Sequence, residues 1–157
     1  MTLENIYYRF LILVIPPENP LPEDPLTRYL KNPSKDFDPK TREVSASAFL
    51  PNQNVAVLTK SVSVFNISGM NENSVWNMGR LWTVINPWPK RSGTRPIRAR
   101  ADIKTSMIID IEELDVKSVP SPHPRHVELR NWPPDESQQL SAALQIAQKS
   151  TFKPAPR

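Results

Sequence analysis

The hydrophobic and polar positions of residues 124–149 predict a short strand followed by an amphipathic helix. Residues 126–131 predict the strand, which a rigid Trp132-Pro133-Pro134 corner ends. Apolar side chains then recur at spacings of three and four residues, as on one helix face, at Leu140, Ala143, Leu144 and Ala147. We expect Leu140 and Leu144 to be buried against the sheet that contains residues 6–15. The opposite face is neutral and polar and contains Gln138, Gln139, Gln145 and Gln148.

Shorter apolar runs predict the remaining strands, at residues 6–15, 43–50, 55–65, 81–85 and 114–119. The first run is rich in β-branched and aromatic residues, which is typical of a central, mostly buried strand. The second and third runs predict a tight hairpin, because Pro51-Asn52-Gln53-Asn54 separates them. Residues 71–78 predict a short helix with Asn71 or Asn73 as its cap and Gly79 at its end. Residues 101–111 fit either a helix or a strand.

These elements predict an α+β fold, in which an antiparallel or mixed sheet of five to six strands carries the C-terminal helix on one face. The 157 residues fit a single domain, because domains commonly contain ~100–200 residues. We expect one compact domain over residues 1–150. Residues 16–40 predict a proline-rich loop with at most one helical turn near residues 26–30. Residues 151–157 predict a frayed tail.

The composition excludes several kinds of chemistry. The chain has 18 Pro and only 3 Gly, so it contains neither a glycine-rich phosphate loop nor a dinucleotide-binding fingerprint. It has no Cys, which removes disulfides, thiolate nucleophiles and cysteine-based metal sites. The apolar run at residues 6–15 contains Arg9 and is shorter than the ~20 residues of a membrane-spanning helix. We therefore expect a cytoplasmic protein that uses no cofactor and no membrane.

Residues 80–100 form a basic segment whose cationic residues occur without an acid: Arg80, Lys90, Arg91, Arg95, Arg98 and Arg100. Trp82 and Trp88 are interleaved with them. Arginine and tryptophan are enriched at the energetic centres of protein interfaces, and arginine with aromatic side chains also binds single-stranded nucleic acids. A solvated basic loop is the third interpretation. We predict a partner-binding surface that consists of Trp88, Arg91, Arg95, Arg98 and Arg100.

His126 is the one titratable residue for which the sequence indicates chemistry, and we treat it as a candidate polar site. His123 lies three residues earlier, and two histidines at this spacing can share a metal ion. A zinc site needs three or four ligands, and the sequence shows no further ligand cluster. We therefore predict no metal site and a histidine that bonds to the backbone at the head of a strand. Ser47 and Ser61 lack the Gly-x-Ser-x-Gly turn of many hydrolases, so no catalytic residue is assigned.

Several short motifs resemble those of a set of small bacterial proteins of uncharacterised function. They are Ser47-Ala48-Phe49, Ser61-Val62-Ser63-Val64, Ala101-Asp102-Ile103, Leu114-Asp115-Val116, Pro124-Arg125-His126 and Trp132-Pro133. The resemblance covers roughly residues 42–149. It implies one compact domain of a bacterial protein and carries no activity and no catalytic residue.

The sequence thus predicts a non-enzymatic interaction module, an accessory or adaptor that binds another protein in a bacterial multi-protein system. The alternative is a nucleic-acid-binding accessory protein that uses the basic segment at residues 80–100. A second alternative is a small hydrolase that uses His126. An adaptor should expose an apolar patch or a sheet edge, a nucleic-acid binder should gather cations near Trp88, and a hydrolase should hold His126 in a pocket beside a carboxylate.

Overall fold

The computed structural model of the chain describes residues 18–85, 96–111, 113–121 and 123–157 together with Ile6, and for residues 83–85 it describes the backbone alone. The strands in this part of the chain are β1 (Pro25–Leu30), β2 (Val62–Asn66), β3 (Ala99–Lys104), β4 (Asp115–Ser118), β5 (His126–Arg130) and β6 (Thr151–Pro154). The helices are α1 (Glu72–Ile85), α2 (Thr105–Ile109) and α3 (Glu136–Lys149). The strands form one six-stranded antiparallel sheet in the order β4-β5-β2-β1-β3-β6. The prediction of an α+β fold is therefore confirmed.

The helix α3 begins at the corner where the sequence predicts it and packs on one face of the sheet. Asp135 caps it, because its carboxylate accepts hydrogen bonds from the backbone N–H groups of Ser137 at 2.8 Å and Gln138 at 3.2 Å. The apolar residues that α3 contributes to the main core are Ala142, Ala143, Ile146 and Ala147. The predicted placement of a C-terminal helix on one face of the sheet is thus confirmed.

The face that α3 buries differs by one position from the predicted one. Leu140 is 51% exposed and Leu144 is 45% exposed, whereas Gln139 is fully buried. Gln139 tolerates burial because its amide is satisfied: Nε2 donates to Pro133 O at 2.7 Å, and Oε1 accepts from Lys60 Nζ at 3.1 Å. The alanines of the buried stripe also allow a close approach that leucines at the same positions would prevent. The prediction that Leu140 and Leu144 are buried is wrong.

The sheet has two faces of different chemistry, because side chains alternate along each strand. The face that α3 covers, which we call the α3 face, is largely apolar. Its side chains form one hydrophobic cluster with those of α3, and the strand residues in this cluster are Leu26, Leu30, Val62, Val64, Ala99, Ala101, Ile103, Val127 and Leu129. On the other face, the α1 face, Val75 and Met78 of α1 pack with Tyr29 and Phe65. Around that small apolar cluster the strand pairing places polar residues on the α1 face, namely Thr27, Ser63, Arg100, Asp102 and His126.

The hairpin predicted from residues 43–65 is wrong. Its first run and the beginning of its second contain single turns of 3₁₀-helix, at Ala46–Ala48 and Val57–Thr59, and only β2 forms from the second run. Pro51 between the runs cannot donate to a strand ladder. Phe49 instead enters the core beneath α3, so the segment covers the sheet without extending it.

Two segments that the sequence assigned to irregular chain are strands. Residues 26–30, where we expected a helical turn inside the proline-rich loop, belong to β1, which lies between β2 and β3. Residues 151–154, expected to be frayed, form the edge strand β6 on β3. Phe152 holds this strand in place by packing on Phe37, with the ring centroids 5.2 Å apart. The frayed-tail prediction is therefore wrong for these residues.

The helix predicted at residues 71–78 continues as α1 through Gly79 to residue 85, so the strand predicted at residues 81–85 is wrong. Asn71 caps α1 as expected, because its side-chain oxygen accepts the N–H of Ser74 at 2.9 Å. Gly79 serves close packing instead of ending the helix. A Cβ at this position would lie only 2.4 Å from Tyr29 Cε1, so the Tyr29 ring occupies the space that any other residue would fill.

The remaining sequence predictions concern residues 6–15, 101–111, 114–119 and 126–131. β4 and β5 lie in the segments predicted as strands at residues 114–119 and 126–131. The segment at residues 101–111, which fitted either structure, contains the end of β3 and all of α2. Apart from Ile6, the strand predicted at residues 6–15 lies outside the described residues.

Candidate functional site

A cleft lies between β1 and β2, where the two central strands separate. They pair at only two positions, Leu26 with Asn66 and Thr27 with Phe65. The opening that follows, which we call the β1–β2 cleft, has a volume of about 480 Å³. Most of the residues that line it are polar or charged, among them Arg28, Lys31, Lys35, Asp36, Ser47, Ser61 and Ser63, and the Trp82 ring also contributes.

Arg28 bridges the gap between the separated strands. Its Nη1 donates to Ser63 O at 2.7 Å and its Nε donates to Ala48 O at 3.0 Å. These bonds satisfy carbonyl groups that lack a strand partner here. The partners are carbonyl groups, so neither bond neutralises the guanidinium. Burial lowers the pKa of Arg28, and the negative charge of Asp36 offsets only part of that effect.

The cleft carries more positive than negative charge. Among the described residues that line it, Asp36 has the only carboxylate, and its Oδ2 already accepts the backbone N–H groups of Lys31 and Asn32, each at 2.9 Å. Burial and the neighbouring charge of Arg28 both lower the pKa of Lys31. Lys35 adds a further cation to the lining. The arrangement therefore favours the entry of a negatively charged group.

The positive surface extends beyond the cleft to Arg98. A neighbouring depression of about 550 Å³ shares Lys31, Asn32 and Lys35 with the cleft and is also lined by Arg98, which is exposed. The sequence assigned Arg98 to a partner-binding surface, and the structure places it beside two lysines of the cleft. We call Arg28, Lys31, Lys35 and Arg98 the cationic surface.

Ser63 and His126 form a hydrogen-bonded pair at the wall of the cleft. Ser63 Oγ lies 3.0 Å from His126 Nε2, and His126 Nδ1 lies 3.0 Å from the carbonyl oxygen of Val119. A carbonyl oxygen only accepts, so Nδ1 carries the proton and Nε2 presents a lone pair. The Ser63 hydroxyl therefore donates to Nε2. As the sequence predicts, His126 stands at the head of β5 and bonds to the backbone.

Aromatic rings fix the position of the His126 imidazole. The Trp82 ring of α1 stacks on it at 5.5 Å with an angle of 20°, and the Phe65 ring lies 5.8 Å away. The residue is only 5% exposed, and this burial lowers its pKa, so the imidazole is neutral at pH 7. Glu128 stands opposite Ser63 in the strand pairing, and its carboxylate bonds to Arg130 at 2.7 Å.

Arg100, which the sequence assigned to the partner-binding surface, lies in the interior. It is 1% exposed, its Nη2 donates to Glu72 at 2.8 Å and to Asp102 at 3.0 Å, and its guanidinium carbon lies 4.8 Å from the centre of the Trp76 ring. This placement corrects the prediction for Arg100. The alternation of β3 points this side chain at α1, where two carboxylates and a ring enclose it.

The ion pairs around Arg100 connect the edge strand, the sheet and α1. Lys153 of β6 lies 3.3 Å from Asp102 and 3.7 Å from Glu72, and Thr27 donates to Asp102 at 2.6 Å. The hydrogen bond from Arg100 lowers the pKa of Glu72. Arg100 Nη1 is buried without a hydrogen-bond partner. We call Arg100, Asp102, Glu72 and Lys153 the Arg100 cluster.

The other members of the predicted partner-binding surface, Trp88, Arg91 and Arg95, lie outside the described residues. Their role stays a prediction.

The described ranges contain neither a candidate metal site nor a membrane-spanning helix. No group of three or more histidine, aspartate or glutamate side chains in them could hold a metal ion. No helix within those ranges has the length and apolar character that a membrane span requires.

Comparison with known proteins gives no match for the chain, whether with protein-family models, curated proteins or solved structures.

Sequence reasoning missed the cations of the cleft and the role of Ser63. Arg28, Lys31 and Lys35 fell in the segment assigned to a proline-rich loop, because Leu26 and Leu30 lie four residues apart, a spacing that indicates a helical turn and not a strand. Ser63 was seen only as part of a strand, because its contact with His126 joins positions far apart in the chain.

Proposed function

We propose that the protein is an interaction module, an accessory or adaptor that binds an acidic group of a partner protein in the β1–β2 cleft. The excess of positive charge in a concave site carries the proposal. Arg28 and Lys31 are partly withdrawn from water, and the carboxylate of Asp36 is already engaged by two backbone N–H groups. A carboxylate from a partner would supply the missing negative charge and charge-assisted hydrogen bonds.

Exposed apolar side chains on two segments connected to the cleft favour a protein partner over a nucleic acid. The loop at residues 50–60 lines the cleft with Leu50 and Asn52. The same loop is tied to α3 by the hydrogen bond of Gln53 to Gln139 at 3.0 Å. Leu58 of this loop is 100% exposed, and Leu140 of α3 is 51% exposed. Cations combined with exposed apolar residues are typical of protein interfaces, whereas contacts to phosphate groups dominate nucleic-acid binding.

The proposal is tested by reversing charge in the cleft. In Lys31→Glu/Lys35→Glu, we expect affinity for a glutamate-rich peptide to fall by at least about tenfold, or ~1.4 kcal/mol, because two attractive charges become repulsive. The matched control is Lys104→Glu/Lys117→Glu, which makes the same change in net charge at residues that do not line the cleft. Fluorescence anisotropy at rising salt concentration measures the affinities, and binding should weaken as salt screens the charges.

Two outcomes would contradict the proposal. Equal losses in both double variants would mean that net charge alone attracts the peptide. Tighter binding of a single-stranded oligonucleotide than of the peptide, abolished by the cleft variant, would support the nucleic-acid alternative in place of a protein partner.

A further inference from the structure

We propose that Ser63 is a nucleophile, activated by His126, toward activated carboxylic esters that carry a negative charge. Ser63 would thereby add a covalent step to the binding of an acidic group in the β1–β2 cleft. Its preference for charged esters rests on the proposed function of the cleft, whereas the reactivity of Ser63 rests on the serine–histidine geometry alone.

The hydrogen bonds of His126 give the pair the polarity that a nucleophile and its base require. Nδ1–H is held by the carbonyl of Val119, so Nε2 has its lone pair toward Ser63 Oγ at 3.0 Å. A nucleophile within hydrogen-bond distance of a base, with the base oriented by a third group, is the general arrangement of activated serines. Here a backbone carbonyl is the orienting group, and the stacked Trp82 ring prevents the imidazole from turning away.

Ser63 differs in this respect from the other serines of the cleft. Ser47 donates its hydroxyl to Lys35 O. Ser61 lines the same cleft and is half-buried like Ser63. The hydroxyl that forms the hydrogen bond with His126 Nε2, however, is that of Ser63. Ser61 is therefore a matched reference for the effect of the histidine.

The proposed reaction balances without any group beyond the ester and water. Ser63 Oγ forms a bond to the carbonyl carbon of the ester while its proton passes to His126 Nε2. The tetrahedral intermediate collapses, the bond from carbon to the leaving oxygen breaks, and Nε2 returns the proton to that oxygen. Water then attacks the acyl-serine by the same route, which releases the carboxylic acid and restores the Ser63 hydroxyl. The Arg28 guanidinium, bonded to Ser63 O at 2.7 Å, places a cation beside the residue for a charged substrate.

The first experiment measures activation at position 63 with a neutral reagent. Because the chain has no Cys, Ser63→Cys and Ser61→Cys each contain one thiol, and iodoacetamide alkylation at pH 7 reports its thiolate fraction. We expect the thiol at position 63 to react about tenfold faster, since the neutral imidazole beside it can accept the thiol proton and stabilise the thiolate as an ion pair. Adding His126→Gln should reduce the rate to that of Ser61→Cys. Equal rates in the two single variants, both folded by circular dichroism, would overturn the proposal even if the histidine variant fails to fold.

The second experiment measures acyl transfer in the protein with its own serine. Incubation with the carboxylate-bearing ester mono-4-nitrophenyl succinate should add one succinyl group to the peptide that contains Ser63, detected by mass spectrometry. Ser63→Ala should lose this adduct, whereas Ser141→Ala, at an exposed serine of α3 that does not line the cleft, should keep it. No adduct in the unaltered protein would overturn the proposal.

Charge selectivity is tested separately with neutral 4-nitrophenyl acetate. If Lys31→Glu/Lys35→Glu slows succinylation of Ser63 but not its acetylation, both proposals are supported. If the variant slows neither reaction, the anion-binding proposal fails and the nucleophile stands. If acetylation of Ser63 is absent in every variant, the nucleophile fails whatever the peptide-binding result.

Discussion

The two faces of the sheet bury side chains of different chemistry, apolar toward α3 and partly polar toward α1. Toward α3, the strands bury alanine, valine, leucine and isoleucine, which need only to be removed from water. Toward α1, they bury an imidazole, a guanidinium and hydroxyl groups, each of which costs free energy unless it is paired. The α3 face therefore accounts for folding with few specific contacts, whereas the α1 face depends on defined partners.

The difference bears on where function lies. Replacing polar groups of the α1 face by well-packed apolar ones would often be neutral or stabilising, so stability does not by itself explain their presence. The same face contains the Ser63–His126 pair and joins the cleft through Ser63 and Trp82. We therefore place the chemistry of the protein on the α1 face and at the cleft, and its stability mainly on the α3 face.

A large loss of stability is expected from Arg100→Met, which removes the central cation of the Arg100 cluster. Breaking a buried ion pair by removing one partner costs about 3–5 kcal/mol, and the low end applies here because Lys153, 3.3 Å from Asp102, retains part of the attraction. Urea denaturation measures the change in the free energy of unfolding.

The control for Arg100→Met is Lys104→Met. Lys104 and Glu23 form an ion pair of 3.1 Å with side chains 55% and 80% exposed, and such surface pairs contribute about 0–1 kcal/mol. If Arg100→Met is no more destabilising than this control, the Arg100 cluster is not needed to hold α1 and β6 on the sheet.

On the α3 face, Ile146→Ala should destabilise the protein by about 2–5 kcal/mol, as core truncations do. Ile146 is fully buried, whereas Leu144, two positions earlier on the same helix, is 45% exposed. Leu144→Ala should therefore cost about 1 kcal/mol or less. Chemical denaturation of both variants gives the comparison. A larger loss at position 144 than at position 146 would mean that α3 buries the face predicted from the sequence.

Local sequence patterns predicted the type and position of several elements. They failed where contacts between residues far apart in the chain determine which side chains are buried or where a helix ends. The existence of α3 follows from its proline corner and its spacing of apolar residues. Its buried face does not, because the burial of Gln139 depends on Lys60 and Gln53, far away in the chain. Likewise Gly79 has the sequence signal of a helix end, whereas in the structure it allows the Tyr29 ring and Ile97 to pack closely against α1.

The candidate site was predictable in part. His126 stood out as the titratable residue of interest, and Arg98 lies beside Lys31 and Lys35, while its role in binding stays a prediction. Arg100 was misplaced, although the run Ala99-Arg100-Ala101-Asp102-Ile103 alternates as a strand and puts opposite charges on one face, which is a signal of an internal ion pair. The pairing of Ser63 with His126 could not be predicted, because it requires the register of β2 against β5.

The smallest effect expected is a dependence of stability on pH that belongs to the α1 face. Burial lowers the pKa of His123 from 6.5 to about 4 and also lowers that of His126. Between these values the unfolded chain binds more protons than the folded protein, so the free energy of unfolding must fall as the pH drops from about 7 toward 4. Measurements between about pH 7 and pH 5 report mainly on the histidines, because carboxyl groups titrate lower.

The variant that tests this dependence is His123→Asn, whose side-chain oxygen can still accept the N–H of Arg125 that His123 Nδ1 accepts at 3.1 Å. Its free energy of unfolding should fall less steeply between about pH 7 and pH 5 than that of the unaltered protein. Ile146→Ala is the control, since a truncation on the α3 face should lower stability by the same amount at each pH. An unchanged slope in His123→Asn would show that His123 titrates alike in the folded and unfolded states. Its burial would then contribute nothing to the acid sensitivity that distinguishes the α1 face.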